Sequence, residues 1–261
     1  MDKLMIKNEI KAFLAINNRE ILKFIRQRSR LITDMSRPIL WLFFVGFGLS
    51  TIVKLKNGSY MDFIFPGILV MTVLFRSIFA AISIIWDRQF GVLKEVLVSP
   101  VSRKTFVFAK ITSGAIVSTM QALIMLIFAP FLGIGISLNT IILAVIALFL
   151  ISSSITAFGI LIAAKMTSFE GFNSIINLIV QPMFFVSGAL YPVKRFPSFL
   201  KFLAYINPVT YSVDLLKYIF FYGKTGLFIP EIPLALDIIF ILFFLFLMVF
   251  FANYFFERGD N

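Results

Sequence analysis

Arg76 stands inside an otherwise charge-free apolar run, Phe63 to Trp86, and Asn173, Asn177 and Gln181 recur at i, i+4 and i+8 inside another, Gly171 to Val193. That spacing places the three amides on one helix face. Inside a membrane such side chains either hydrogen-bond neighbouring helices or line a wet path, and a charge at depth needs a partner. Arg76 lies ten residues from Trp86, about 15 Å deep at about 1.5 Å per residue. An anionic headgroup of a substrate, Asp237 or helix-end carbonyls are the candidate partners. Ser152, Ser153, Ser154 and Thr156 lie in a further apolar run and read as close-packing residues.

Other chemistry is excluded by residue type. The chain has neither Cys nor His, which removes thiol nucleophiles, imidazole acid–base catalysis and Cys/His metal sites. No catalytic set and no metal-ligand set is therefore expected, and with no G-x-x-x-x-G-K-[ST] loop the chain is not expected to bind ATP by that route. Hydrophobic residues make up 60% of the 261 residues, 34 of them Phe, and charged residues only 14%. Mean hydropathy is +0.98. A water-soluble globule could not bury that composition, so the elements that position these residues are expected to be membrane helices in an all-α integral membrane protein.

About 20 mostly apolar residues make one crossing. The charge-free runs predict six transmembrane helices in one domain, at about 32–53, 62–86, 105–130, 140–164, 171–191 and 234–256. The run from Ile111 to Ala164 must fold back on itself, and Pro130, Gly133, Gly135, Ser137 and Asn139 supply the turn. Six crossings put both termini on one side. That side then holds fifteen Lys and Arg against seven on the other, which places both termini in the cytoplasm. The net charge of +11 is accounted for by this asymmetry, and nucleic acid is not expected as a partner. No cleavable leader is expected either: the first apolar run follows an arm of 37 residues with nine basic and four acidic groups.

Three segments are neither span nor simple loop. Residues 1–30 form an arm in which Ile10, Phe13, Leu14, Ile21, Phe24 and Ile25 give an apolar stripe among basic residues, suited to lying in the membrane interface. The loop after Trp86 spaces Phe90, Leu93 and Leu97 helically with Lys94 and Glu95 off that stripe, and Ser99-Pro100 reads as the cap that starts the next helix. Spacing alone leaves this loop either a connector or a short helix that passes force between two spans. Residues 194–230 read as two short helices, Pro197–Ile206 and Val209–Tyr222, parted by Asn207-Pro208. Asp214 and Lys217 make the second a poor crossing, so re-entrant external helices between spans five and six are expected.

The order Arg37-Pro38…Gly46-Phe47-Gly48, Phe65-Pro66-Gly67-Ile68, the loop Arg88 to Arg103, Ser187-Gly188-Ala189-Leu190-Tyr191-Pro192 and Asn207-Pro208-x-Thr210-Tyr211 resembles the membrane subunit of type-two ABC exporters. It is similar to the daunorubicin-resistance and nodulation lipo-oligosaccharide export permeases. The resemblance implies a multi-pass permease of the cytoplasmic membrane that pairs with a second permease subunit, as homodimer or heterodimer, above two separate ATPase subunits. ATP and Mg would sit on those subunits, and no cofactor on this chain. It further implies that residues 88–98 form the coupling helix, with Arg88, Phe90, Gly91, Leu93, Glu95 and Leu97 contacting the ATPase. The arm, through Phe24, Arg26 and Arg28, would complete the docking groove. Arg76, Asn173, Asn177 and Gln181 would be path candidates, and the cargo an amphipathic drug, lipid or lipid-linked saccharide. An ATP-independent secondary transporter or channel is the alternative. It usually shows paired intramembrane charges or inverted repeats. A membrane enzyme lacks its usual catalytic groups here.

Overall fold

The computed structural model describes residues 3–52, 59–91, 101–221 and 230–258. Among the described residues the protein is helical throughout, with no strand. The arm is α1 (Lys3–Arg26), which breaks at Gln27, outside helical geometry at φ −88° and ψ 65°. Then α2 (Arg28–Leu40) runs through a π-helical stretch, Trp41–Phe47, into α3 (Gly48–Ile52). Pro38 lies inside α2 and cannot donate to the carbonyl one turn back, and the ladder widens directly after it.

The helix α4 (Tyr60–Ala80) opens on a reciprocal cap, in which Ser59 and Asp62 satisfy each other's end of the first turn, and α5 (Ile82–Gln89) follows it. Next come α6 (Arg103–Leu126) and α7 (Leu138–Lys165), joined by the expected turn, a short 3-10 stretch at Pro130–Leu132 and the Ser137 cap. The expected fifth span gives α8 (Phe169–Ile175), a π-helical stretch Ile176–Val180, and α9 (Gln181–Phe185). Beyond it lie α10 (Ser198–Ile206), α11 (Pro208–Phe221) and α12 (Leu234–Arg258).

Five stretches are long and apolar enough to cross a membrane: Leu31–Ser50, Tyr60–Gln89, Arg103–Leu132, Leu138–Lys165 and Leu234–Arg258. The expected fifth span, 171–191, is not among them. Its helix stops at Phe185, and Gly188 turns the chain at φ +77°, so at about 1.5 Å per residue it reaches only about 25 Å.

The core lies where α4, α6, α7, α11 and α12 pack together. Phe65 of α4 meets Phe220 of α11 edge-on at 5.8 Å, and every residue from Phe63 to Ile78 is buried. Gly67 allows the 187–190 turn to approach: a Cβ there would sit 2.7 Å from the Ala189 Cβ and 2.8 Å from its carbonyl oxygen. Gly67→Ala is therefore expected to cost about 1–3 kcal/mol, read as a lower Tm of the purified protein. An unchanged Tm would mean that the 187–190 turn yields freely.

Candidate functional site

The arm packs along α6, but its apolar stripe does not act as one face. Phe13, Ile21 and Phe24 turn towards the bundle, whereas Ile10, Leu14 and Ile25 are exposed. The inward face also carries charge, which hydrophobic spacing does not reveal. Lys110, buried in α6, donates to Asp87 at 2.7 Å, to Glu20 at 3.0 Å and to the Ser83 hydroxyl at 3.0 Å. Arg19 reaches the same two carboxylates, Glu20 at 2.9 Å and Asp87 at 3.4 Å. Burial alone would raise the Glu20 carboxyl, but Lys110 and Arg19 outweigh it and hold it at about 2. This cluster ties the arm to the last turn of α5 and the second turn of α6, the two helices that flank residues 90–102.

The ends of that segment are held as firmly. Arg88 donates to the carbonyls of Met166 at 2.8 Å and Ala164 at 3.1 Å, covering acceptors at the C-terminal end of α7. Gln89 donates to the Thr167 carbonyl at 3.0 Å. At the far end Ser102 caps α6, its hydroxyl accepting from the Thr105 amide at 3.2 Å, so the helix starts at Arg103 and its cap is not Ser99. The Ser102 amide donates to Glu9 of the arm at 2.8 Å, and the Thr105 and Ser102 side chains beside that carboxyl, with the Ser102 amide, hold it below its usual range. Arg103 donates to the Glu257 carbonyl at 2.9 Å.

The expected 88–98 helix is corrected at its start. Arg88 and Gln89 end α5, and Gly91 adopts φ +77°, a left-handed conformation that closes a helix and suits glycine. Phe90, beside it, is 77% exposed. Leu93, Glu95 and Leu97 lie outside the described residues. Of the arm residues, Phe24 is buried, with the Arg76 guanidinium 5.4 Å from its ring centroid, while Arg26 and Arg28 are exposed.

Arg76 has a carboxylate partner that spacing does not reveal: its Nη1 lies 3.3 Å from Asp34 of α2. Asp237 does not fill that role. It is fully buried at the start of α12, and neither carboxyl oxygen finds a hydrogen-bond donor among the described residues. Arg76 faces a cavity of about 160 Å³ between α2, α4 and α6, lined also by Arg37, Thr72, Phe79 and Gln121.

Asn173, Asn177 and Gln181 do share one face, and it is the exposed one; Phe172, Ile176, Val180 and Phe184 turn inwards. The Arg76 cavity includes no residue of α8 or α9, so the four path candidates form two separate features. Ser152, Ser153, Ser154 and Thr156 are buried. Thr119 donates to the Ser152 hydroxyl at 3.3 Å, and Thr156 sits where a Cβ on Gly114 would come within 2.6 Å of it, a small-residue contact between helices. Among the described residues no group of His, Cys, Asp and Glu could hold a metal ion.

The family model for the ABC-2 type transporter matches residues 11–221, most of the chain, from the arm through α11. The chain belongs to the ABC-2 type transporter family. Similar proteins include a transport permease, ycf38, of Cyanophora paradoxa, 30% identical over 81% of this chain and 74% of its own. The inner membrane transport permease YadH of Escherichia coli is 25% identical over 74% of this chain and 75% of its own. YbhR of Escherichia coli, named as a multidrug ABC transporter permease, is 27% identical over 63% and 45%. This ABC-2 chain is thus a multi-pass membrane protein of the transport-permease kind, with the clamped 90–102 segment lying inside the matched region.

Proposed function

We propose that the chain is the membrane subunit of an ATP-driven exporter, seated on two separate ATPase subunits that dock against residues 90–102 and the arm. The observation that carries this reading is the clamp at both ends of that segment. Lys110, Asp87, Glu20 and Arg19 join the arm to α5 and α6, and Arg88 joins α5 to the end of α7. A push on the segment is then felt by α5, α6, α7 and the arm together. A connector with no mechanical role has no need of that bracing. The short 169–185 stretch is read as a sixth crossing whose exposed amide face, Asn173, Asn177 and Gln181, meets a second permease subunit. With α10 and α11 lying outside, both termini are then cytoplasmic. The cargo that suits such an apolar, Phe-rich interface is amphipathic: a drug, a lipid or a lipid-linked saccharide. The likeness to YbhR, named as a multidrug permease, supports the first of these.

The test is retention of the ATPase. Phe90 is 77% exposed, so Phe90→Ala is expected to leave the Tm of the isolated subunit unchanged. Burying that ring against a partner is worth about 2–3 kcal/mol, so its loss should lower ATPase retention during purification by about 30- to 150-fold in affinity and reduce ATP-dependent export in vesicles. Normal ATPase stoichiometry and normal export in Phe90→Ala would leave the segment a connector. Export that proceeds without ATP or without the ATPase would favour a secondary transporter instead.

A further inference from the structure

The cavity beside Arg76 combines positive charge, depth and an unsatisfied polar group. Two guanidinium groups line it, Arg37 at the exposed rim and Arg76, only 9% exposed, inside. One carboxylate, Asp34, lines it with them, so the wall keeps a net positive charge. Gln121 is 1% exposed, and its Oε1 finds no hydrogen-bond partner among the described residues although it borders the cavity. A buried amide left unsatisfied is costly; a ligand hydroxyl donating to that oxygen would remove the cost. Guanidinium pairs suit phosphate and carboxylate oxygens, which they grip in bidentate fashion. The size sets a further bound. The cavity of about 160 Å³ has room for a phosphate with several hydroxylated carbons, and its two guanidinium groups and buried amide favour such polar groups over acyl chains. Those would lie along the neighbouring surface of the same helix, where Ile32 is 70%, Leu40 51% and Phe44 74% exposed.

We propose that this cavity binds the anionic, hydroxyl-bearing headgroup of a phospholipid, of the glycerophosphate type, from the leaflet in which the arm lies. The inference rests on the chain being a membrane protein, and not on what its complex exports. Arg37 captures the phosphate at the rim, Arg76 draws it inward, and Gln121 accepts from a headgroup hydroxyl. Phe75, whose ring centroid lies 4.6 Å from the Arg37 guanidinium, holds that cation against the wall.

The experiment uses the full chain with its ATPase in nanodiscs of phosphatidylcholine, titrated with phosphatidylglycerol and read by native mass spectrometry and Tm. Phosphatidylglycerol is expected to be retained and to raise Tm, and further phosphatidylcholine to do neither. Free glycerol phosphate should bind far more weakly, because its chains are missing. Arg37→Gln and Gln121→Leu, which both leave the Arg76–Asp34 pair in place, are each expected to weaken retention about tenfold or more, and Lys194→Gln, at an exposed cation outside the cavity, to change nothing. Equal binding of phosphatidylcholine, or unchanged retention in both cavity variants, overturns the proposal. Free glycerol phosphate binding as tightly as the lipid would overturn it too, in favour of a soluble anion. ATPase retention and ATP-dependent export are followed in the same preparations, so their loss with lipid retention intact counts against the exporter reading alone.

Discussion

Lys110→Ala is expected to lower the unfolding free energy by about 3–5 kcal/mol and to loosen the arm. Lys110 is 3% exposed, and the carboxylates it serves, Glu20 and Asp87, are only 16% and 13% exposed at the side chain. Its removal leaves two nearly buried negative charges, 67 residues apart in sequence, facing each other with Arg19 alone between them among the described residues. The measurement is Tm together with proteolysis within the arm. Replacing the cluster as a whole, with Lys110→Met, Glu20→Gln and Asp87→Asn, is expected to restore much of the stability, because the largest cost of the single variant is the uncompensated charge. A single variant as stable as the parent would show that the cluster contributes nothing. The same cluster predicts a pH dependence. The Glu20 carboxyl is held down from the usual 4.5 to about 2, so its contribution is fully present above pH 4.5 and is lost as pH falls from there towards 2. Glu20→Gln should flatten the Tm profile in that window; an unchanged slope would assign the acid sensitivity to other carboxylates.

Asp214→Ala is expected to be comparably severe at the opposite end of the bundle. Asp214 is 4% exposed, and its two oxygens accept from the Glu231 and Ile232 amides, both at 2.9 Å. The Glu231 carboxylate continues the chain of contacts, accepting from the Val193 amide at 3.0 Å and the Lys194 amide at 2.8 Å. Lys217, one turn on, donates to the Gly188 carbonyl at 2.8 Å and lies 4.2 Å from the Phe63 ring centroid. Truncation leaves two amides without their acceptor, each at about 1–3 kcal/mol, so a loss of about 3–5 kcal/mol is expected. Faster hydrogen exchange at Glu231 and Ile232 should accompany the lower Tm. Asp214→Asn, which keeps one acceptor, should cost about half as much. Unaltered exchange in Asp214→Ala would show that these amides are protected by something other than the carboxylate.

Apolar run length and turn residues alone located most of the bundle. Five of the expected spans match long apolar helices within a few residues, Ser137 caps where the turn was expected, and Asn207-Pro208 starts α11. These features depend on contiguous residues. The sequence was less informative where one residue decides geometry. Gly91 closes α5, which holds Arg88 and Gln89, and Ser102 rather than Ser99 caps α6. The first turns on backbone conformation, and the second also on Glu9, which is 93 residues from Ser102.

The candidate site divides in the same way. Composition determined that the protein lies in a membrane and has no thiol or imidazole chemistry. The 3.6-residue period put Asn173, Asn177 and Gln181 on one face. Which face is exposed could not follow from spacing, because that depends on what packs against Phe172, Ile176, Val180 and Phe184. The partners of the buried charges were equally hidden. Arg76 pairs with Asp34 across 42 residues, and Lys110 with Glu20 across 90. A helix period carries no information about pairs between helices. Charge pairing is set by distance in space, and only the packing of α1, α2, α4 and α6 brought these side chains within reach.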